Sequence, residues 1–264
     1  MIRRPPRSTL DRSSAASDVY KRQISDATLN RFFAFHVILL PLLLALLVYL
    51  HIVALHKVGS NNPDGVEIKK QKDADGKPLD GVPFHPYYTV KDTFGVGMFL
   101  TVYLAIVFFL PELGGWFLEK DNFNPADILQ TPPDIVPLWY LTPYYSILRA
   151  VTFEWLPGGA KLWGVIAMGA AIMIFFFLPW LDRSRVRSIR YRGWMYKTML
   201  TLFAVTFVML GYLGTKNPGH VDLIWFKNVT WAQIGLVIYF AFFLLMPIYT
   251  RLDRTYAEPD RLTK

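Results

Sequence analysis

The amino-acid sequence predicts an all-α protein, a polytopic bundle of about five membrane-spanning helices. Of its 264 residues, 53% are hydrophobic, and the mean hydropathy of the chain is positive. The apolar residues form long blocks instead of short amphipathic periods, and about 20 of them suffice to cross a bilayer as a helix. Helices are the expected form because the hydrocarbon core offers the backbone no hydrogen-bond partners.

Five apolar blocks reach spanning length. They cover approximately residues 32–55, 93–110, 162–181, 198–214 and 230–249. Lysine and arginine concentrate in the first connection, in the third connection and after the last block, which predicts that these segments face the cytoplasm. Five spans would then leave the N-terminus outside, although seven basic residues precede the first block. Either further membrane segments precede this block, or the N-terminal stretch is foreign to the protein.

Residues 1–23 are rich in arginine and serine and lack the apolar core of a signal peptide. They are similar to translated sequencing-adapter sequence, so we interpret them as a non-native or disordered segment. Without their six basic and two acidic residues, the formal net charge falls from +8 to +4. The remaining basic residues are those expected of cytoplasmic loops, and no nucleic-acid partner is predicted.

The first apolar block contains two histidines, His36 and His51. Ionisable side chains are rare at membrane depth and usually functional. Fifteen helical residues leave the two rings about 60° apart around the axis and about 22 Å apart along it. This suits two stacked haems, each with one axial histidine from this helix. An alternative of equal weight is that one or both histidines only form structural hydrogen bonds to a neighbouring helix.

Cysteine is absent from the sequence. Disulfides, thiolate-ligated haem, covalently attached c-type haem and iron–sulfur clusters on this chain are therefore excluded. Any metal site must use histidine. A third histidine, His56, lies about 140° around the helix from His51 and is expected to face elsewhere.

The connections differ in character. The first, residues 59–86, is rich in Asp, Lys, Gly and Pro and predicts a solvated loop with turns or a small hairpin. The second, about residues 111–161, combines aromatic residues with prolines, which predicts an ordered cap at the outer interface. A passive surface helix explains the same composition slightly better than a binding site. The motifs are Asn124-Pro125, Thr131-Pro132-Pro133, Pro137-Leu138-Trp139-Tyr140 and Thr142-Pro143-Tyr144-Tyr145.

Several motifs, in order, resemble cytochrome b, the haem-bearing subunit of the cytochrome bc complex (respiratory complex III). The run 29–36 with His51, His56 and the sequence 59–63 resembles its fourth helix and adjoining loop. The sequence 86–92 resembles the entry to its fifth helix, and residues 131–149 resemble its quinol-oxidation loop. The resemblance extends from about residue 24 to the C-terminal tail. It implies the last five of eight helices, without the second helix that supplies the other axial histidines.

The resemblance implies roles on the cytoplasmic side and along the first span. His36 would ligate the outer, low-potential b-type haem and His51 the inner, high-potential one. His56, Lys91 and Asp92, with Ser60 as a weaker candidate, would form the quinone-reduction site. A histidine, a lysine and an aspartate can supply the protons that a quinone takes up on reduction. Without the resemblance, Lys91 and Asp92 are read first as an ordinary charge pair at a helix start.

The resemblance also places a quinol-oxidation pocket on the outer side, with Trp139, Tyr140 and Tyr145 as its residues. The sequence Pro137-Leu138-Trp139-Tyr140 occupies the position of the family's Pro-Glu-Trp-Tyr motif. Leu138 cannot relay a proton as a glutamate can. Water or another acid would have to take the proton from quinol. Glu154 lies on the same side, but the sequence does not assign it this role.

Function, partners and location follow from the same resemblance. The implied activity is that of a ubiquinol–cytochrome c oxidoreductase subunit, which transfers electrons in a proton-translocating Q cycle with ubiquinol and ubiquinone as substrates. The implied partners are a Rieske-type iron–sulfur subunit, a c-type cytochrome subunit, a second cytochrome b and membrane lipid. The expected location is the bacterial inner membrane in preference to the mitochondrial one. Two alternatives remain: a non-catalytic truncated membrane fragment, and the haem-binding membrane anchor of another quinone reductase.

The domain organisation is predicted from these boundaries. Residues 24–60 would end the haem- and quinone-binding N-terminal domain, and residues 61–92 would form a cytoplasmic loop. Residues 93–254 would form the C-terminal domain, followed by a tail at 255–264. The chain is therefore predicted to be the C-terminal portion of a cytochrome b, with half of the haem ligation, and inactive when isolated.

Overall fold

The computed structural model describes residues 26–115, 118, 123, 125, 135–155 and 157–262. Over these residues the chain is helical, with one isolated antiparallel bridge between Lys72 and Pro78 and no strand, so the predicted fold class is confirmed. The segment 1–23 and the motif at 131–133 lie outside the described residues. Two compact units are distinguished, Met1–Asn61 and Asn62–Lys264, and each is described by itself.

The first unit contains one long helical rod. Helix α1 (Asp26–Ala34) continues through a π-helical turn (Phe35–Leu39) into helix α2 (Leu40–Val58). The span Thr28–Val58 has 31 residues, about 46 Å of helix, which exceeds a hydrocarbon core of about 30 Å. The rod ends at Gly59, where φ is 90°, a backbone conformation that glycine adopts readily.

Helix α3 (Thr89–Phe109) is the first span of the second unit. A π-helical turn (Phe84–Tyr88) precedes it, and together they form the candidate span Phe84–Phe109. No residue of α3 is buried within the structure. Because the helix is apolar on all sides, its surface suits lipid or neighbouring membrane helices.

The remaining helices of the second unit form a packed bundle. They are α4 (Thr142–Ala150), α5 (Gly159–Met173), α6 (Leu178–Leu181), α7 (Trp194–Gly214), α8 (Asn228–Leu244) and α9 (Met246–Leu252). A short 3₁₀ segment, Ile174–Phe177, joins α5 to α6. Candidate spans are Gly159–Leu181 and Trp194–Gly214, and α8 with α9 forms a further span bent by 57°. The described residues therefore hold four straight candidate spans, or five with the bent pair.

The predicted last block, 230–249, is helical, but it is bent instead of forming one continuous helix. The break falls at Leu245, and Pro247 follows in the first turn of α9. A proline inside a helix removes one backbone donor and its ring clashes with the carbonyl four residues earlier, so the helix bends.

The core of the bundle is aromatic and aliphatic. The side chains of Tyr239, Phe243, Ile147 and Leu210 are fully buried. The Tyr239 hydroxyl donates a hydrogen bond of 2.7 Å to the carbonyl of Ala171, which satisfies its polar group inside the core. Helix α4 contributes to this core, because Ile147 with four further residues of the helix is buried. One face of α4 is therefore buried in the bundle, as expected of an amphipathic helix.

Loops predicted to be cytoplasmic fold together with the C-terminal tail. Arg190 forms an ion pair of 2.8 Å with the buried Asp64, and Arg261 pairs with Asp80 at 2.8 Å. The Tyr191 hydroxyl also donates to Asp64, at 3.3 Å. Partial burial and the neighbouring Asp64 carboxylate raise the pKa of Tyr191. The predicted turns are present, since Asp73 accepts hydrogen bonds from the N–H groups of two residues in the loop after it.

Candidate functional site

His36 lies in the π-helical turn of the first unit. Its Nδ1 is 2.8 Å from the carbonyl oxygen of Phe32, one turn earlier. In the tautomer that donates this bond, Nε2 is the nitrogen available to a metal. In metal-ligating histidines, the ring nitrogen that does not bind the metal commonly donates a hydrogen bond that fixes the orientation of the ring. His51 lies in α2, and both histidines are exposed within the structure.

The π-helical turn changes the angle between the two histidines. The N–H of Leu40 bonds to the carbonyl of Phe35, five residues earlier, so this turn takes up one more residue than an α-helical turn. The separation of His36 and His51 then behaves as about fourteen α-helical steps, which leaves the rings about 40° apart and about 21 Å apart along the axis. The sequence-based value of about 60° is corrected. Pro41 explains the position of the turn, since its ring crowds the carbonyl of Val37.

His56 and Ser60 lie at the other end of the same rod. His56 is in the last turn of α2, and Ser60 follows Gly59 outside the helix; both are exposed. His56 is therefore placed beyond His51, at the end of the span that is predicted to be cytoplasmic.

Lys91 and Asp92 begin α3 in the second unit. The Lys91 ammonium donates a hydrogen bond of 2.7 Å to the Tyr87 hydroxyl and lies 4.2 Å from the centre of its ring. Asp92 is an acidic residue in the first turn of the helix, where the helix dipole favours it. The structure thus gives Lys91 a local partner four residues earlier, which the sequence reasoning had missed.

The described part of the outer connection brings its aromatic residues together. Trp139 and Tyr140 begin a short 3₁₀ turn, Trp139–Leu141, and their ring centroids lie 5.7 Å apart, edge to face. The Thr142 hydroxyl donates to the carbonyl of Trp139 at 2.7 Å, which joins this turn to α4. The Tyr145 hydroxyl lies 3.5 Å from the carbonyl of Ile135, a long contact. Trp139 and Tyr140 remain more than half exposed.

Arg149 anchors this region to the bundle, and sequence reasoning had not singled it out. Its Nη2 donates to the carbonyls of Leu213 and Gly214, at 2.8 and 3.0 Å. These are the last carbonyls of α7, which the helix leaves without internal donors and which favour a cation. The Arg149 guanidinium also lies 4.5 Å from the centre of the Tyr145 ring. A basic residue in the last turn of an amphipathic helix was the only signal in the sequence.

Leu138 and Glu154 are the two residues of the outer connection that bear on proton transfer. Leu138 is partly exposed and offers no proton-carrying group. Glu154 accepts a hydrogen bond of 3.3 Å from the N–H of Ala160, near the start of α5. This contact gives Glu154 a helix-capping role, and the structure brings it no link to Leu138.

These features define a class of protein. The chain is an integral membrane protein of helical spans, with two histidines on one span and an aromatic loop anchored to a neighbouring bundle. Metal-binding clusters of three or more acidic, histidine or cysteine residues are not found among the described residues.

Comparison with known proteins gives the family. Residues 19–131 match the cytochrome b(N-terminal)/b6/petB model, and residues 125–243 match the cytochrome b(C-terminal)/b6/petD model. Cytochrome b of Allochromatium vinosum is 54% identical over 244 residues, which cover 91% of this chain. Cytochrome b of Rhodospirillum rubrum is 46% identical over 223 residues, or 84% of this chain. The chain belongs to the cytochrome b family, as the resemblance in its sequence had indicated.

A solved structure shows the same fold. The chain resembles a chain of a hyperthermophilic respiratory complex III with a TM-score of 0.71 and 36% sequence identity, over 86% of this chain and 52% of the other. The match to the two cytochrome b relatives covers 56% and 49% of their lengths. The chain therefore spans about half the length of the curated relatives it matches.

Proposed function

We propose that this chain forms part of a dihaem cytochrome b, the subunit of a cytochrome bc complex that oxidises quinol on one side of the membrane and reduces quinone on the other. The observation that carries the proposal is the pair His36 and His51, about 40° apart on one spanning helix. Family membership supports it independently, because both cytochrome b models match.

The residues of the first span fit one axial ligand for each of two b-type haems. His36 would hold the outer haem through Nε2, since Nδ1 faces the carbonyl of Phe32. His51 would hold the inner haem. When bound, the two haems carry single electrons between the two sides of the membrane. Each haem would need a second axial ligand. His85 lies in the turn before α3, and His220 lies between α7 and α8.

The residues of the proposed quinone-reduction site follow from the family resemblance. His56 and Ser60 would come from the end of the first span, and Lys91 and Asp92 from the start of α3. Lys91 and Asp92 can donate and accept protons at the oxygens of a quinone ring. The hydrogen bond from Lys91 to Tyr87 holds its ammonium at the helix start.

The proposed quinol-oxidation pocket uses the outer connection. Trp139 and Tyr140 offer exposed aromatic surface for a planar headgroup, and Tyr145 offers a hydroxyl that can accept or donate a hydrogen bond. The Arg149 guanidinium, 4.5 Å from the centre of the Tyr145 ring, would hold that ring in position. Because Leu138 stands in the place of an acid, water or another acid would have to take the proton from the quinol.

The proposed setting is the bacterial inner membrane, and bacterial relatives support it. A Rieske-type iron–sulfur subunit would accept one electron from the quinol, and a c-type cytochrome subunit would accept it next. A second copy of cytochrome b completes the proposed assembly. The likeness to a chain of a respiratory complex III supports partners of this kind.

Haem spectra test the proposal. In the complex assembled in membranes, His36→Leu should remove the spectrum of one b-type haem, and His51→Leu should remove the other. His220→Leu, in a loop, is the matched control and should leave both. If His36→Leu and His51→Leu both retain the wild-type spectrum, the ligand assignment is wrong.

A second candidate is a membrane protein without redox activity of its own. The observation in its favour is that the chain has five histidines, of which only His36 and His51 are assigned to haems, one to each haem. Haem content distinguishes the two candidates. Two b-type haems per copy of this chain in the complex isolated from membranes would exclude the non-catalytic reading, whereas a membrane complex that holds this chain without haem would support it.

A further inference from the structure

The connection between α7 and α8 carries the most exposed large apolar side chain of the described residues. Residues 215–227 form this connection, and Trp225 within it is 86% exposed. Ile224 beside it is 70% exposed and Val221 58%. Most helix–helix connections in bundles have about 2–8 residues, so this one is longer than joining the two helices requires. A long loop with an exposed apolar tip is typical of an interaction site.

The backbone of Trp225 is strained. Its φ is 69°, in the left-handed region that a bulky residue rarely adopts. The Phe226 N–H donates a hydrogen bond of 3.0 Å to the carbonyl of Ile224, two residues earlier, so Trp225 is the central residue of a γ-turn with a positive φ. Turns of this kind are rare and strained. Strained residues persist where the surrounding structure holds them, and they cluster at binding and catalytic sites.

The surrounding residues hold this turn in place. The Trp231 indole N–H donates a hydrogen bond of 3.2 Å to the carbonyl of Ile224. Asn228 is 1% exposed, and its side-chain amide donates to the Asn217 carbonyl at 2.7 Å and to the Asp222 carboxylate at 2.6 Å. The base of the connection is therefore tied together by hydrogen bonds, and the backbone at its tip has a fixed geometry.

The connection carries a net positive charge. Lys227 follows the turn directly and is exposed, and Lys216 lies at the other end of the connection, with its ammonium 5.1 Å from the centre of the Tyr212 ring. Neither lysine forms an ion pair with a described residue. The Asp222 carboxylate, by contrast, accepts a hydrogen bond from Asn228. A surface that covers the turn is therefore expected to be apolar at its centre and acidic around it.

A protein surface fits these observations better than lipid does. Tryptophan is enriched at the membrane interface, but a fluid bilayer accepts an indole in many orientations, so contact with lipid requires no strained turn. A pocket in a protein selects one orientation, and a turn that is already rigid loses little entropy when it binds. The connection also lies on the side predicted to be outer, where the subunits that accept electrons from quinol belong in the proposed complex.

We propose that the turn 224–226 docks against another subunit of the complex, with the Trp225 indole in an apolar pocket and Lys227 against a carboxylate at the rim of that pocket. Aromatic residues buried in such pockets commonly carry much of the binding energy of a protein interface. The contact rests on the proposed assembly with partner subunits, but it does not depend on haem ligation or on either quinone site.

Photo-crosslinking of the complex in its own membranes tests the contact. Trp225→p-benzoyl-phenylalanine places a photoreactive group at the tip of the connection, and mass spectrometry after irradiation identifies what this group touches. We expect an adduct with a peptide of another subunit that contains Asp or Glu. Trp180→p-benzoyl-phenylalanine is the matched control, because Trp180 is 71% exposed on α6, at the end of the bundle predicted to be cytoplasmic. It should form no adduct with that peptide.

Release of the crosslinked subunit measures the strength of the contact. Trp225→Gly removes the indole, and glycine adopts a φ of 69° readily, so the connection should keep its fold. In detergent, native mass spectrometry should show the subunit leaving the Trp225→Gly complex at least tenfold faster than wild type. Lys227→Glu should accelerate release about threefold and weaken its dependence on salt. Lys161→Glu, at an exposed position on α5, should release the subunit as wild type does.

Two outcomes would overturn the contact alone. One is that position 225 forms adducts only with phospholipid, only with this chain, or with nothing. The other is equal release of every subunit from the wild-type and Trp225→Gly complexes. An isolated complex that holds no other subunit would overturn the proposed assembly, and the contact with it. Circular dichroism verifies the helix content of each variant; if Trp225→Gly loses it, the crosslink and Lys227→Glu against Lys161→Glu decide the question.

Discussion

Replacement of Arg149 by leucine should loosen the outer connection from the bundle. The substitution removes hydrogen bonds of 2.8 and 3.0 Å from one guanidinium nitrogen to the last two carbonyls of α7. It also removes the guanidinium from the Tyr145 ring, 4.5 Å away. Because the connection and the helix end would both lose a fixed partner, we expect lower thermal stability together with slower quinol oxidation.

The size of the effect follows from these contacts. A hydrogen bond to a charged group contributes about 1.5–3 kcal/mol, so two give an upper bound of roughly 6 kcal/mol. Arg149 is only partly buried, and both hydrogen bonds share one nitrogen. Hydrogen bonds to water can therefore replace much of this stabilisation when Arg149 is removed. We expect a loss of about 2 kcal/mol, or roughly 4–8 °C in Tm for a unit of this size.

The assay is thermal unfolding of the protein in its complex, followed by circular dichroism in detergent. Arg149→Lys can still donate to one carbonyl and should lose less than Arg149→Leu. Lys161→Leu, at an exposed position on α5, is the control for the loss of a positive charge alone. It should leave Tm unchanged. Equal Tm values for Arg149→Leu and wild type would refute the anchoring role.

Three further predictions concern packing, capping and the π-helical turn. Gly214→Ala places a methyl group against the backbone carbonyl of Thr142 and should destabilise the protein by about 1–3 kcal/mol in thermal unfolding, whereas Gly169→Ala meets nothing within 4 Å and should be neutral or slightly stabilising. Asp253→Ala removes a carboxylate that accepts from two N–H groups at the start of α7 and should cost about 1–2 kcal/mol in the same measurement. Deletion of Val37 should convert the π-helical turn into α-helix and keep the two histidines at the same angle, so both haem spectra should persist in the complex; loss of either would contradict the geometry of the first span.

The fold class could be predicted from composition because membrane spans are a local property. About twenty apolar residues in a row indicate a spanning helix whatever surrounds them. The limits of the spans were predicted less accurately. The first candidate span begins at Thr28 instead of residue 32, because polar residues at a helix end add little to an apolar signal. The break at Leu245 was missed, since its cause, Pro247, stands inside an otherwise apolar run.

The candidate site was recovered in part. His36 and His51 were found from the sequence because a histidine is conspicuous inside an apolar block. The angle between their rings was not found, because it depends on the hydrogen bond from the Leu40 N–H to the Phe35 carbonyl, which widens the turn. The sequence does not show that the backbone pairs residues five apart at this turn instead of four. Roles at the two quinone sites remain proposals, resting on the family to which the chain belongs.

The sequence by itself determined that this protein crosses the membrane as helices, which family it belongs to, and which span carries the histidine pair. These follow from residue types and their order. Only the tertiary structure decided that one face of α4 is buried in the bundle, that Arg149 caps the end of α7, and that Arg190 pairs with the buried Asp64. The reason is physical: an arginine has the same charge wherever it stands, but its hydrogen-bond partners come from segments distant in sequence, and packing alone brings those segments together.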